Sequence, residues 1–141
     1  MIIMSVDLGK VRTGLAVCDE SETLAYPLCV IEEKNKKKLA AKISEQAKDN
    51  HVQMIVLGLP KNMDGSRGES ALNTQKFESI LKKHIDIPIV LWDERQTTLS
   101  AAKYLNETNT TGKKRKKIID AVSATIILED YLKFKKQNKS N

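Results

Sequence analysis

Aromatic residues make up only 4% of this 141-residue chain, with a single tryptophan, three tyrosines and two phenylalanines. So sparse a set argues against a protein that grips single strands by stacking bases on a row of rings. There are two cysteines, Cys18 and Cys29, and their spacing is not that of a metal site. Both fall in apolar, strand-like runs and read as reduced, buried thiols. No apolar run approaches the roughly 18 residues of a membrane-spanning helix. The opening Met1-Ile2-Ile3-Met4 lacks the basic segment and long apolar stretch of a signal peptide, so a cytoplasmic location is the default expectation. The two histidines, His51 and His84, lie near expected helix C-termini, where an imidazolium complements the helix dipole. Neither is a candidate catalyst. The chain contains no internal repeat.

The composition that is present, 40% hydrophobic and 30% charged, is that of a soluble globular protein. The length suits one domain, over residues 1–136, with a basic polar tail at 137–141. The net charge of +6 is unevenly spread. From Met1 to Gly112 there are 15 basic and 15 acidic residues, which cancel. From Lys113 to Asn141 there are nine basic and three acidic residues, a surplus equal to the whole net charge. Part of it trails off the last helix at Lys133, Lys135, Lys136 and Lys139. The denser run, "KKRKK" at Lys113–Lys117, directly precedes an apolar helix. Basic clusters of this kind favour phosphate backbones; the same run also reads as a solvated lysine loop.

Apolar spacing organises the rest. Ile2–Asp7 and Thr13–Cys18 read as strands joined by a short glycine-containing turn. Leu24–Ile31 reads as a third strand, with Pro27 pushing it toward a sheet edge. Lys36–Asn50 carries Leu39, Ala40, Ile43 and Ala47 at helical spacing. Met54–Gly58 is a fully apolar strand. A helix from Ser70 is expected to pack through Leu72, Phe77, Ile80 and Leu81. "IPIVLWDE" is another apolar strand, and Thr97 or Thr98 can cap a helix through Tyr104 and Leu105. "NETNTTGKKRKK" is expected to be a loop. A final helix from about Ile118 to Lys136 packs through Ala121, Ala124, Ile127, Leu128 and Leu132. The pattern is α/β: a five-stranded mixed sheet in which three strands form an antiparallel meander and the two helix-preceded strands pair in parallel. Strands without alternation should be covered by helices on both faces.

Ligands in open sheets gather beyond the carboxyl ends of parallel strands. Asp7 ends the first strand, Asp93 and Glu94 end the last, and Asp120 opens the final helix. Three carboxylates from three distant segments can meet at one sheet edge, and oxygen-only ligands suit Mg²⁺ or Mn²⁺. Two such ions about 4 Å apart can activate water and stabilise a leaving oxygen in phosphodiester hydrolysis. The bland alternatives are equally concrete: Asp120 complements a helix dipole and Asp93 caps the next helix. The loop "PKNMDGSRGES" has turn chemistry at Gly65 and Gly68. It leaves a parallel strand at the same edge, where Asn62, Ser66 and Arg67 are candidate phosphate contacts. Trp92, inside a strand, reads as core more than as a stacking platform.

The segments "DLGKVRTGLAVCD", "GLPKNMDGSRGESA", "LWDERQTT" and "RKKIIDAVSATIIL", in this order and spacing, resemble the YqgF/RuvX family. The likeness spans nearly the whole chain apart from Lys34–His51 and the tail. It implies an RNase H-like fold and a metal-dependent nuclease, described in the family as a Holliday-junction resolvase or a nuclease of pre-ribosomal RNA. On this resemblance Asp7, Glu94 and Asp120 are the catalytic, metal-holding carboxylates. Arg12, Asn62, Asp64, Gly65, Arg95, Arg115 and Lys116 fall on family motif positions. Together with Arg67, Lys113 and Lys114, the residues Arg12, Asn62, Arg95, Arg115 and Lys116 are the expected nucleic-acid contacts. Two positions depart from the family pattern: Val11 stands where a basic residue is common, and Ser123 replaces a common alanine. Expected partners are structured RNA or branched DNA, ribosomal precursor particles, and, for cutting both strands of a junction, a second copy of the chain. The "DxG" turn also resembles the phosphate loop of actin-like ATPases and sugar kinases, but those need two such domains, which 141 residues cannot supply. The runner-up reading is a catalytically idle nucleic-acid-binding factor in ribosome assembly.

Overall fold

The computed structural model describes residues 1–59, 69–93 and 112–139, with side chains over 1–58, 72–92 and 122–137. The elements are β1 (Ile3–Asp7), β2 (Arg12–Cys18), β3 (Ala25–Glu32), α1 (Lys36–Asp49), β4 (Met54–Leu59), α2 (Glu69–Lys82), β5 (Ile89–Asp93) and α3 (Gly112–Lys139). The five strands form one sheet in the order β3-β2-β1-β4-β5. β1 pairs antiparallel with β2, and β2 antiparallel with β3. β4 pairs parallel with both β1 and β5. The expected meander followed by parallel strands is therefore present, with its carboxyl edge formed by the ends of β1, β4 and β5.

Period-two alternation divides the sheet residues between two apolar layers. Met4, Val6, Leu15, Val17, Ile55 and Leu57 enter one core cluster with Leu39, Ala40 and Ile43 of α1 and Phe77 and Leu81 of α2. Ile3, Ala16, Cys18, Met54 and Val56 enter the other with Ala124, Ile127, Leu128 and Leu132 of α3. Both faces of the central strands are thus apolar, which is why they show no polar alternation in sequence. Pro27 sits in the edge strand β3 opposite Ala16, beside the register shift between Leu15 and Ala16. An edge and a bulge are where a residue without an N–H is tolerated.

Local chemistry sets the helix limits. Asn35 caps α1, its side-chain oxygen accepting from the Lys38 N–H at 3.0 Å. At the other end the N–H of Val52 donates to the Ala47 carbonyl at 2.9 Å and that of His51 to the Lys48 carbonyl at 3.2 Å. This double bond pattern needs a left-handed residue at its corner, and His51 supplies it with φ 56°. In α2 the buried stripe runs through Thr74, Phe77 and Leu81. Leu72, expected on that stripe, is 53% exposed; two residues before Thr74 is about 200° around the helix, on the solvent side.

Two further expectations change. "KKRKK" is not a loop: α3 begins at Gly112, six residues before the expected start, so Lys113–Lys117 lie in its first turns. Unbranched lysine and arginine are good helix formers, and an apolar-face criterion places the helix start too late. The helix also runs on to Lys139, three residues past its expected end and into the segment expected as a tail, and Lys135 Nζ donates to Glu22 Oε1 at 2.7 Å. Ser123 is buried as a small packing residue, as expected. Of the two free cysteines, Cys18 is buried and Cys29 half-buried, and burial pushes both thiols up. Trp92 is half-buried against the α3-side cluster, edge-on to Tyr131 at 5.4 Å between ring centroids. It belongs to the core, as its sequence position implied.

Candidate active site

Asp7 is the last residue of β1, its Cα opposite that of Gly14 on β2. It is half-buried, whereas Ile3, Met4, Ser5 and Val6 before it are fully buried. On the other side of β1, Val6 is level with Leu57 of β4, and Leu57 with Leu91 of β5. Asp7 thus stands one step beyond the last β1–β4 pair, at the open carboxyl edge. β5 ends there too, at Asp93, two strands or roughly 10 Å away at the usual strand spacing.

The turn after Asp7 is tightly closed. A Cβ on Gly9 would lie 2.0 Å from the Arg12 carbonyl oxygen, so only glycine fits without displacing backbone. The Gly9 N–H reaches Thr13 Oγ1 at 3.4 Å, and the Gly9 carbonyl accepts from Lys36 Nζ at 3.0 Å. Lys36 opens α1, and burial pushes its ammonium below the usual lysine range. Sequence reasoning missed Lys36. It lies in a lysine run outside the family motifs, and no local pattern shows that its amine crosses to the turn after Asp7.

On the opposite face, α3 runs back along the sheet. Ser5 Oγ donates to the Ala124 carbonyl, and further along, Tyr131 OH contacts Met54 Sδ at 4.0 Å. Met54 is level with Ile3, at the start of β1. The helix therefore runs antiparallel to β1, and its earlier residues lie toward the carboxyl edge. From Ser5 to Asp7 is about 6.6 Å along a strand, and from Ala124 back to residue 120 is about 6 Å along a helix. Position 120 thus returns to the level of Asp7. Ile3 and Ser5, which alternate with Met4 and Val6, face α3, and Asp7 continues that series on the strand. The backbone brings two of the three expected carboxylate positions to one level on one face of the sheet.

Arg12 begins β2, across the Gly9 turn, and is half-buried. Lys113, Lys114, Arg115 and Lys116 follow the start of α3, at the end of that helix lying toward Asp7. Glu94, Arg95, Asn62 and Arg67 lie outside the described residues. Among the described side chains no group of three His, Cys, Asp or Glu could hold a metal; Asp7 is the only one of the three expected carboxylates in that set. No described helix is long and apolar enough to cross a membrane.

A model of the family described as "RuvX: Holliday junction resolvase" matches residues 1–134. This chain belongs to the RuvX family. It is, with that family, a phosphodiester-hydrolysing nuclease. Its relatives include a Thermoanaerobacter pseudethanolicus protein named "Putative pre-16S rRNA nuclease", 40% identical over 133 residues, with 94% of this chain and 96% of that protein covered. Among solved structures it is similar to Thermus thermophilus RuvC in complex with a Holliday junction, at 12% identity and TM-score 0.61, covering 95% of this chain and 96% of that one. It is also similar to the fowlpox virus resolvase with junction DNA, at 12% identity and TM-score 0.58, covering 94% and 97%. Such low identities speak for the fold alone. The RuvX assignment removes the two-domain ATPase reading of the Asp7-Leu8-Gly9 turn.

Proposed function

We propose that this RuvX chain is a metal-dependent nuclease of precursor 16S ribosomal RNA, acting at the sheet edge where β1 ends. Asp7, Glu94 and Asp120 are its metal-holding carboxylates. The reading is carried by one observation: Asp7 ends β1 while α3 turns back to bring position 120 to the same level and face. Three carboxylates offer only oxygen donors, the set that suits Mg²⁺ or Mn²⁺ over softer metals. Bound there, such ions supply an activated water and stabilise charge on the departing oxygen.

The chain's own residues do the rest. The closed Gly9 turn holds Asp7 in place, with Lys36 fastening the turn to α1. Arg12, Asn62, Arg67, Arg95 and the Lys113–Lys116 run bind phosphates on either side of the reacting one. RNA, as part of a ribosomal precursor particle, is favoured over branched DNA because the 40% identical relative carries an RNA-nuclease name. The solved junction resolvases are 12% identical. The family description keeps Holliday-junction cleavage as a second reading, and that reaction requires a homodimer.

A cleavage panel of precursor ribosomal RNA, junction DNA and duplex DNA tests the reading, with Mg²⁺, Mn²⁺ or chelator. Wild type should cut the precursor only with metal. Asp7→Asn and Glu94→Gln should bind it about as well and cut it at least roughly a hundredfold more slowly, the cost of removing one strong electrostatic contributor. Junction cleavage in place of RNA cleavage would select the second reading. Equal cleavage by wild type and both variants would leave an idle binding factor as the better account.

A further inference from the structure

The residues before Gly112 carry as many acidic as basic charges, and among the described ones several lysines gather at one edge of the sheet. α1 leaves the carboxyl end of β3 and returns the chain to the start of β4, so its first turn stands at the same sheet edge as Asp7. Lys34, Lys37 and Lys38 are exposed there, and Lys10 is exposed on the turn after Asp7. The 3.0 Å contact from Lys36 to the Gly9 carbonyl puts this group within one lysine's reach of that turn. The nearby acid Glu33 is held by Lys42 at 3.0 Å, and by the Asn35 N–H at 3.1 Å; that lysine's hydrogen bond keeps its carboxyl below the usual range. Of the other described acids in this half of the chain, Asp7 and Glu32 stand at this same edge, Glu32 opposite Arg12, while Asp19, Glu20 and Glu22 in the β2–β3 hairpin and Asp49 at the end of α1 lie at the opposite edge.

We infer that Lys10, Lys34, Lys37 and Lys38 form a second nucleic-acid-binding tract, contacting phosphates on the side of the sheet opposite the basic start of α3. The inference rests on the nuclease reading. It adds that substrate backbone crosses the sheet edge from the α3 side to the α1 side, with Asp7 between. The physical basis is charge complementarity with a polyanion: each phosphate neutralised releases condensed counterions, which makes affinity salt-dependent. Lys34, Lys37 and Lys38 lie outside the segments that resemble the family, and Lys10 lies within the first of them.

Binding of a fluorescein-labelled RNA hairpin is measured by anisotropy, in chelator to prevent cleavage, between about 50 and 200 mM salt. Four proteins are compared with wild type. Lys34→Gln/Lys37→Gln/Lys38→Gln removes three of the tract's four lysines. Lys113→Gln/Lys114→Gln/Arg115→Gln/Lys116→Gln removes the α3 cluster. Lys48→Gln/Lys82→Gln/Lys83→Gln removes three lysines at the far edge. Glu33→Gln raises the tract's charge by one. The α1 triple variant should lower the salt slope by roughly two to three, about 0.9 or somewhat less for each phosphate no longer neutralised. The far-edge triple should leave the slope unchanged, and Glu33→Gln should tighten binding, which misfolding cannot mimic. An α1 variant indistinguishable from the far-edge variant, while the α3 variant has a reduced slope, overturns this tract and leaves the nuclease reading standing. Salt-independent binding by wild type overturns both.

Discussion

Replacing Gly9 by alanine tests how closely the turn after Asp7 is tied to the proposed active site. The added methyl would sit 2.0 Å from the Arg12 carbonyl oxygen, where ordinary contact begins near 3.4 Å. The backbone must therefore open by more than about an ångström, since the obstacle is another peptide group and not the end of a flexible side chain. Overpacking of this kind costs roughly 1–3 kcal/mol. For a domain of this size that lowers Tm by about 4–12 °C. The functional cost should be larger. The same opening displaces the residue two positions from Asp7, and a misplacement of about 1 Å at reacting groups costs on the order of a hundredfold in rate. Thermal unfolding by circular dichroism and metal-dependent cleavage should be measured side by side, with Glu20→Ala, exposed at the opposite edge, as control. A Gly9→Ala protein that melts and cleaves like wild type would show that the turn is not closed against Arg12 and does not position Asp7. One that melts lower but cleaves at the wild-type rate would separate the two and remove the positioning role.

Two stability predictions follow from contacts away from the site. Burial raises the Glu22 carboxyl, but the hydrogen bonds and charges of Lys135 and the terminal ammonium outweigh it and leave it below the usual range. A depressed carboxyl contributes stability above its unfolded pKa and loses it as pH falls through the folded value. Lys135→Met should therefore lower stability by about 1 kcal/mol at pH 7 and flatten its fall between about pH 5 and 3; a parallel pH profile in urea titrations would refute the link. His51 holds a left-handed corner that glycine adopts without strain. His51→Gly should raise Tm by about 2–4 °C, relief of left-handed strain exceeding the unfolded-chain entropy of glycine; an unchanged or lower Tm would show that the corner is not strained.

Much of this fold is legible without coordinates. Met54–Gly58 and Ile89–Trp92 are apolar without alternation because α1 and α2 cover one face of the sheet and α3 the other. Their helix-preceded order then leaves parallel pairing, and Asp7 at a strand end points to the carboxyl edge. Local pattern misplaced what depends on neighbours. Leu72 is as apolar as Phe77, and only the position of the sheet turns Thr74 inward in its place. The start of α3 was hidden because charged residues with good helix propensity carry no apolar stripe to mark them.

The sequence by itself determined the elements, their parallel or antiparallel pairing and the carboxylate at the end of β1, because each depends on propensity, period and chain order over short distances. The tertiary structure alone decided what meets there. The Ser5–Ala124 hydrogen bond sets the height of α3, and so brings position 120 level with Asp7 across more than a hundred residues of chain. Lys36 reaches Gly9 from 27 residues away. Lys34, Lys37 and Lys38 stand apart in space from Asp19, Glu20, Glu22 and Asp49 because α1 starts at one edge of the sheet and ends at the other. A count along the chain cannot register that separation, since electrostatic fields depend on distance in three dimensions and not on order in sequence.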